Sequence, residues 1–247
     1  MTDDLTKALF ALAQTTADMG RWGDATGDLP RAWPERRALT VRLDLLAARP
    51  PIWRRLKLAS DLDLEQVHVI VQESMGWKSA HLHSFDDWRP VGSDETKRLH
   101  LNTRWEVENG EEHGTKNEWD VELSQVLRTP KDWLGYVYDF GDNWRHRLKL
   151  EKVEAWTEGD PPAQCLTGRR ACPPEDCGGI WGYEALLARL AAFNDSAGRD
   201  EDVDEDTSEW VEWFGLEDFD PDDFDPEEAN IALSVDEEGG FMDLSPF

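Results

Sequence analysis

The run GYVYDFGDNWRHRLKLEKV, residues 135–153, constrains this chain more than any other stretch. Two segments of alternating apolar and polar residues flank a Gly-Asp turn, the pattern of a β-hairpin. Successive side chains point to opposite faces of a strand. Trp144, His146, Leu148 and Leu150 therefore share one face, and Arg145, Arg147, Lys149 and Glu151 share the other. His146 falls on the apolar side, where an imidazolium would be costly. It is expected to be neutral, and each ring nitrogen then needs a partner, either a metal ion or Asp139 or Asp142 from the turn.

The same alternation runs through LTVRLDLL (Leu39, Val41, Leu43, Leu45). After the ARPP link it returns in IWRRLKL (Ile52, Leu56, Leu58), giving a second antiparallel pair. A helix should follow, capped by Ser60 or Asp61, striped with Leu64, Val67, Val71 and Met75 and ended by Gly76. His68 on that stripe reads as a core histidine satisfied by one hydrogen bond. In HLHSFDDW, residues 81–88, His81, His83 and Phe85 face one way along a strand, and the two histidines are spaced as a metal pair.

Residues 89–118 read as a polar, irregular excursion, and WDVELSQVL as a strand or short helix. Pro and Gly break up 155–179, which reads as an ordered loop leading to the helix GYEALLARLAAF. Gly178 and Gly179 free the backbone just before that helix, where N–H groups favour an anion or a thiolate. Phe-Asp-Pro then occurs at 219–221 and again at 224–226. In the second copy Asp225 can cap a helix, Pro226 fits its first position and Glu228 can close a capping box. Trp210, Trp213, Phe214, Phe219 and Phe224 are expected to dock on the core.

The expectation is an α+β fold, an antiparallel sheet with packed helices and an N-terminal helical appendage. Residues 1–37 form the helix and link, 38–232 the main domain, and 233–247 a C-terminal tail.

Lys+Arg number 26 against 53 Asp+Glu, a formal charge of −27. Such a field repels phosphate backbones and attracts cations, so direct nucleic-acid binding is disfavoured and a basic protein partner is favoured. No apolar run approaches the roughly 18 residues of a membrane span, and there is no Arg-rich or apolar leader, so a cytoplasmic setting without membrane contact is expected. Reduced, clustered cysteines in that setting point to metal binding or catalysis rather than disulfides.

All three cysteines lie in CLTGRRACPPEDCGG, about twenty residues past His146. Cys165, Cys172, Cys177 and His146 are a donor set of the kind that holds a structural zinc ion, although the paired C-x-x-C knuckles of unmistakable zinc sites are missing. The competing reading packs the cysteines as small apolar groups around a rigid Pro-Pro turn. A second constellation is Asp139, Asp142, His146, Glu175 and Asp176. Carboxylates and a histidine brought together can hold a divalent ion for hydrolysis or phosphoryl transfer, with Asp139, Asp142 and Glu175 as catalytic candidates. Against this, Asp142 can simply form the turn, and Glu175 and Asp176 can cap the following helix.

LDLLAARPPIWRRLKL, MGWKSAHLHSF, YVYDFGDNWRHRLKLE, CLTGRRACPPEDCGGIWGYEALL and FDPDDFDPEEAN, in this order, resemble the plasmid pRiA4b ORF-3-like family, over roughly 38–232. Its members are often labelled insertion-element passenger or TnpR-like proteins. The resemblance implies an α+β domain found among bacterial and mobile-element genes and carries no established activity. The TnpR-like label would suggest recombination, yet the chain has no recognisable serine-recombinase nucleophile context. The functional expectation is a binding or accessory module with a zinc site. The alternative is a metal-dependent hydrolase or phosphoryl-transfer enzyme using Asp139, Asp142, His146 and Glu175.

Overall fold

The computed structural model describes residues 29–86, 101–112, 114, 116–197, 214, 216 and 219–234. The expected helix at 1–20, the acidic loop at 195–209 for the most part, Trp210 and Trp213, and the C-terminal tail from 235 on lie outside them.

The two expected hairpins form, and they pair with each other. Strands β1 (Arg37–Leu45) and β2 (Ile52–Ala59) run antiparallel with Leu45 opposite Ile52. Helix α1 (Leu64–Met75) follows, then β3 (His83–Asp86). A small excursion carries β4 (Leu101–Asn102), α2 (Arg104–Asn109) and β5 (Lys116–Asn117). Helix α3 (Leu123–Val126) precedes β6 (Trp133–Tyr138) and β7 (Trp144–Ala155). Strand β8 (Ala163–Arg169), α4 (Gly179–Ala197) and α5 (Pro226–Ala232) complete the described elements. The six-stranded sheet has the order β3-β6-β7-β1-β2-β8, every neighbouring pair antiparallel, in keeping with an α+β fold.

The inner face carries the alternating residues read from the sequence. Leu39, Val41, Leu43, Ile52, Leu56, Leu58, Leu148 and Leu150 are all buried, and Leu64, Val67, Ile70 and Val71 of α1 join the same core. At roughly 25 cal/mol per Å² of apolar surface, this burial is the main term that holds the sheet to the helix. Arg54 sits on that inner face between Ile52 and Leu56 and is 1% exposed. A charge at an inward position breaks the apolar pattern, and the sequence reading passed over it.

The outer face is a ladder of balanced charges. Asp44 pairs with Arg42 and Arg147, Glu151 with Arg55, and Asp160 with Lys57. The Arg42 guanidinium lies 4.3 Å from the Trp53 ring centre.

Several local expectations change. The α1 cap is Asp63 rather than Ser60 or Asp61; its carboxylate accepts the Gln66 N–H, and the Asp63 N–H donates in return to the Gln66 side-chain oxygen. That reciprocal box stabilises the helix start better than either earlier residue could. Gly76 ends the helix with φ +85°, as expected. Within the 89–118 excursion, Thr103 and Glu106 form another capping box and hold α2. Asp225 does cap α5, but through the N–H of Glu227, with Pro226 at the start. The largest difference is β8, an edge strand on β2 in what reads as loop. Its run AQCLTGR has small and polar residues where apolar alternation would announce a strand. Gly168 is required there, because a Cβ would stand 2.4 Å from the Phe224 ring.

Candidate active site at one end of the sheet

Three chain segments meet at the end of the sheet where β7 begins and β8 stops. They are the bend after α1, the turn joining β6 to β7, and the chain between β8 and α4. The turn spans five residues, 139–143, rather than the two of a tight hairpin, because Tyr138 pairs with Trp144. Asp139 organises it: Oδ1 accepts the N–H groups of Gly141 (2.8 Å) and Asp142 (3.3 Å), and its carbonyl accepts that of Asn143. An Asx turn of this kind tolerates left-handed backbone, and Asp139 and Asn143 have φ of +54° and +55°. Ser79 and Asp176 in the neighbouring segments are also left-handed, so strained backbone gathers at this end, as it does at functional sites.

The segments are stitched together by side chains. Asp142 Oδ2 accepts the Gly178 N–H at 3.0 Å, so the turn supplies the carboxylate just ahead of α4. Gly179 packs against the Asp142 backbone so tightly that a Cβ would lie 2.4 Å from its carbonyl oxygen. Tyr138 donates its hydroxyl to Glu175 and accepts the Ala80 N–H at 3.0 Å, while Glu175 also accepts the Lys78 N–H. Burial first, and the Glu175 carboxylate second, hold the Tyr138 phenol well above its ordinary value, so it remains a donor. Trp77 stacks on Tyr138 with ring centres 5.1 Å apart.

At the centre stands His81. Its Nε2 lies 3.0 Å from Asp176 Oδ1 and 3.8 Å from Asp139 Oδ2, closed to solvent and making no aligned hydrogen bond. Donor atoms of His81, Asp139 and Asp176 all lie within 4.8 Å of one another. Asp139 is buried and Asp176 is exposed, so the group opens to solvent on the Asp176 side.

Asp139, Asp142, Glu175 and Asp176 thus come together, and His146 is elsewhere. It is fully buried under the sheet, Nδ1 donating to the Trp144 carbonyl at 3.1 Å and Nε2 without a partner. Burial lowers it to about 3, so it is neutral as expected. Trp77 meets it edge-on at 5.2 Å and fills the space toward the cysteine loop. Among the described residues, no three of Cys165, Cys172, Cys177 and His146 bring donor atoms within 4.8 Å of one another, so this set as placed does not fit a tetrahedral zinc ion. Burial pushes the Cys177 thiol up to about 12 and raises those of Cys165 and Cys172 as well. All three are neutral thiols in this packing.

His81 and His83 also part company. The strand starts only at His83, whose Nε2 lies 2.9 Å from the buried Glu118. His68 stacks on His83 at 3.5 Å and bonds the Tyr136 hydroxyl at 2.7 Å, the single bond expected of a core histidine. The role of Tyr138 was not read from the sequence. The available signal was its place directly before Asp139, at the strand end facing the bend.

The profile of the plasmid pRiA4b ORF-3-like protein family matches residues 37–228, which include every residue of the cluster. The chain belongs to the plasmid pRiA4b ORF-3-like family. It is 30% identical over 195 residues to the uncharacterized protein y4hQ of Sinorhizobium fredii, covering 74% of this chain and 82% of that one. It also superimposes on the crystal structure of a protein of unknown function, MM3350 from Methanosarcina mazei Go1. The TM-score is 0.63 at 31% identity, over 78% of this chain and 97% of the other. Among the described residues no helix is long and apolar enough to cross a membrane.

Proposed function

We propose that this family member is a divalent-cation-dependent binding module whose ion is held by His81, Asp139 and Asp176. The observation that supports it is the His81 Nε2 atom, sealed from water and facing two carboxylate oxygens. A bare imidazole nitrogen repels such oxygens, so a positive charge belongs between them, either a ring proton or a metal ion. The 3.0 Å contact to Asp176 is not aligned for a ring N–H, which favours the ion. Metal–ligand distances near 2.1 Å separate neighbouring donors by about 3.0–3.5 Å, close to the spacings found here. One imidazole with two carboxylates suits zinc or manganese. The bound ion would tie the bend, the turn and the chain before α4 into one rigid surface.

Calorimetric titration of chelator-treated protein with Zn²⁺ and Mn²⁺ tests this. One site per chain is expected, lost in Asp176→Asn, an exposed position whose change leaves the fold intact. Absence of binding, or binding that Asp176→Asn and His81→Gln leave unaltered, overturns the reading.

A hydrolytic or phosphoryl-transfer version uses the same ion. Three protein donors leave positions open for water and substrate, and the Tyr138–Glu175 pair adjoins the ligands in sequence on both sides. Metal-dependent turnover of phosphate-ester or ester substrates that falls with Asp176→Asn would support it over pure binding.

A further inference from the structure

A second concavity, sharing no residue with the His81 group, lies between the end of α1, residues 171–172 and the segment 219–232. Its origin is the inward arginine of β2. A buried guanidinium is tolerable only when its donors are bonded. Arg54 Nε donates to the Ser74 carbonyl at 2.8 Å, and Nη1 to those of Trp53 (3.0 Å) and Arg169 (3.2 Å). Phe224 covers the guanidinium at 3.8 Å, in the room that Gly168 leaves. Among the described residues Nη2 makes no hydrogen bond, and no carboxylate lies within 4.0 Å of the group. The titratable groups nearest in effect are the Cys172 and Cys165 thiols, both neutral. Among the described residues, the charge of Arg54 is therefore met by carbonyl dipoles and the Phe224 ring, with no carboxylate against it.

Among the described residues, Arg54 is the sole basic one lining a cavity of about 360 Å³. Met75, Phe219 and Ala229 give it apolar walls, while Glu73, Asp220, Asp223, Asp225 and Glu228 add acidic groups, of which Asp220 and Asp225 already accept the N–H groups of Asp222 and Glu227. A simple anion would satisfy Arg54 and be repelled by those acids. A simple cation would suit the acids and leave the guanidinium unanswered. A molecule carrying both charges on adjacent atoms meets both demands, and the cavity is at the small end of ligand sites. We propose that this cavity binds a small zwitterion of the amino-acid type, with its carboxylate on Arg54 Nη2, its ammonium among Glu73, Asp223 and Glu228, and an apolar side chain against Met75 and Phe219.

The test is calorimetry on the full chain with each common amino acid, and with its deaminated acid and decarboxylated amine as probes. At least one amino acid should bind, with both truncated analogues weaker by about tenfold or more, the loss of one charge-assisted contact. Glu228→Gln and Asp223→Asn should each weaken binding by roughly tenfold while leaving the melting temperature unchanged. Arg54→Lys should abolish binding, and the two acidic-side variants keep the test decisive if that protein does not fold. No binding of any amino acid at about 10 mM, far above the millimolar affinity that a few weak contacts provide, would overturn the proposal. Equal binding of an acid or amine alone, or indifference to both Asp223→Asn and Glu228→Gln, would do the same.

Discussion

Trp77 stands between His146 and the cysteine-bearing loop, its ring edge-on to the imidazole at 5.2 Å and its indole N–H bonded to the Pro173 carbonyl at 2.9 Å. One large side chain thus bridges the imidazole and the Pro173 carbonyl of that loop. The histidine is left as a neutral, desolvated core group, and this has a consequence for pH.

His146 is held at about 3 and His68 is also well below its ordinary value, burial being the main cause for both. In the unfolded chain each titrates near 6.5. Below that pH the unfolded state takes up protons that the folded state refuses, so stability is full above about pH 6.5 and falls as pH drops toward 3. At about pH 5, His146 alone should remove about 2 kcal/mol. Urea denaturation at neutral pH and at about pH 5 should show the loss, and His146→Leu should reduce it by about 2 kcal/mol, leaving the part due to His68. A wild-type stability that does not change over this interval would contradict the burial argument.

Asp142 needs only an acceptor oxygen to hold the Gly178 N–H. Asp142→Asn keeps one, and should change unfolding stability by less than about 1 kcal/mol, whereas Asp142→Ala should lose about 1 kcal/mol. If Asn is as harmful as Ala in chemical denaturation, the carboxylate charge has a part beyond this hydrogen bond.

Gly179 and Gly159 separate strain from crowding. Both have positive φ, +66° and +91°, yet a Cβ at Gly159 would meet nothing within 4 Å and one at Gly179 would strike the Asp142 carbonyl at 2.4 Å. Gly159→Ala should cost the left-handed penalty alone, about 1–2 kcal/mol. Gly179→Ala should cost roughly twice that or more, because backbone must also move. Equal melting temperatures for the two variants would show that the contact between turn and α4 is looser than described.

The cysteines offer a chemical check. With Cys165 and Cys177 buried, and all three thiols raised by burial, little thiolate is present near neutral pH. An aromatic disulfide reagent should modify the native protein slowly and reach three thiols per chain only on unfolding. Cys177→Ser should cost about 1–3 kcal/mol, the expense of burying a hydroxyl. Rapid modification of any thiol in the folded protein would argue against this packing.

What was legible in the sequence was whatever repeats locally. Leu39 to Leu45, Ile52 to Leu58 and Trp144 to Leu150 alternate, so the two hairpins and their inner face could be read, as could α1 with its Gly76 stop. Strand β8 was hidden, since Cys165 and Gly168 owe their identities to Leu56 opposite and Phe224 above rather than to an alternating run. The same division holds for the site. Asp139, Asp142, Glu175 and Asp176 lie in turn and loop motifs that mark themselves, and they do meet. Which histidine joins them was decided by tertiary packing. His146 is turned into the core by its strand face, while His81, read with His83 as one face of a strand, lies two residues before β3 begins and joins the carboxylates instead.

The two motifs also impose an order of assembly. Asp142 and Gly178 are 36 residues apart, and between them the chain must complete β7 in the middle of the sheet and lay β8 on its far edge before returning. A ribosome that has released only the first 160 residues has delivered His81 and Asp139 but not Asp176 or the glycines that lock the turn. During synthesis the cluster therefore cannot close until the chain has been made past Gly178, well after His81 and Asp139 have been delivered.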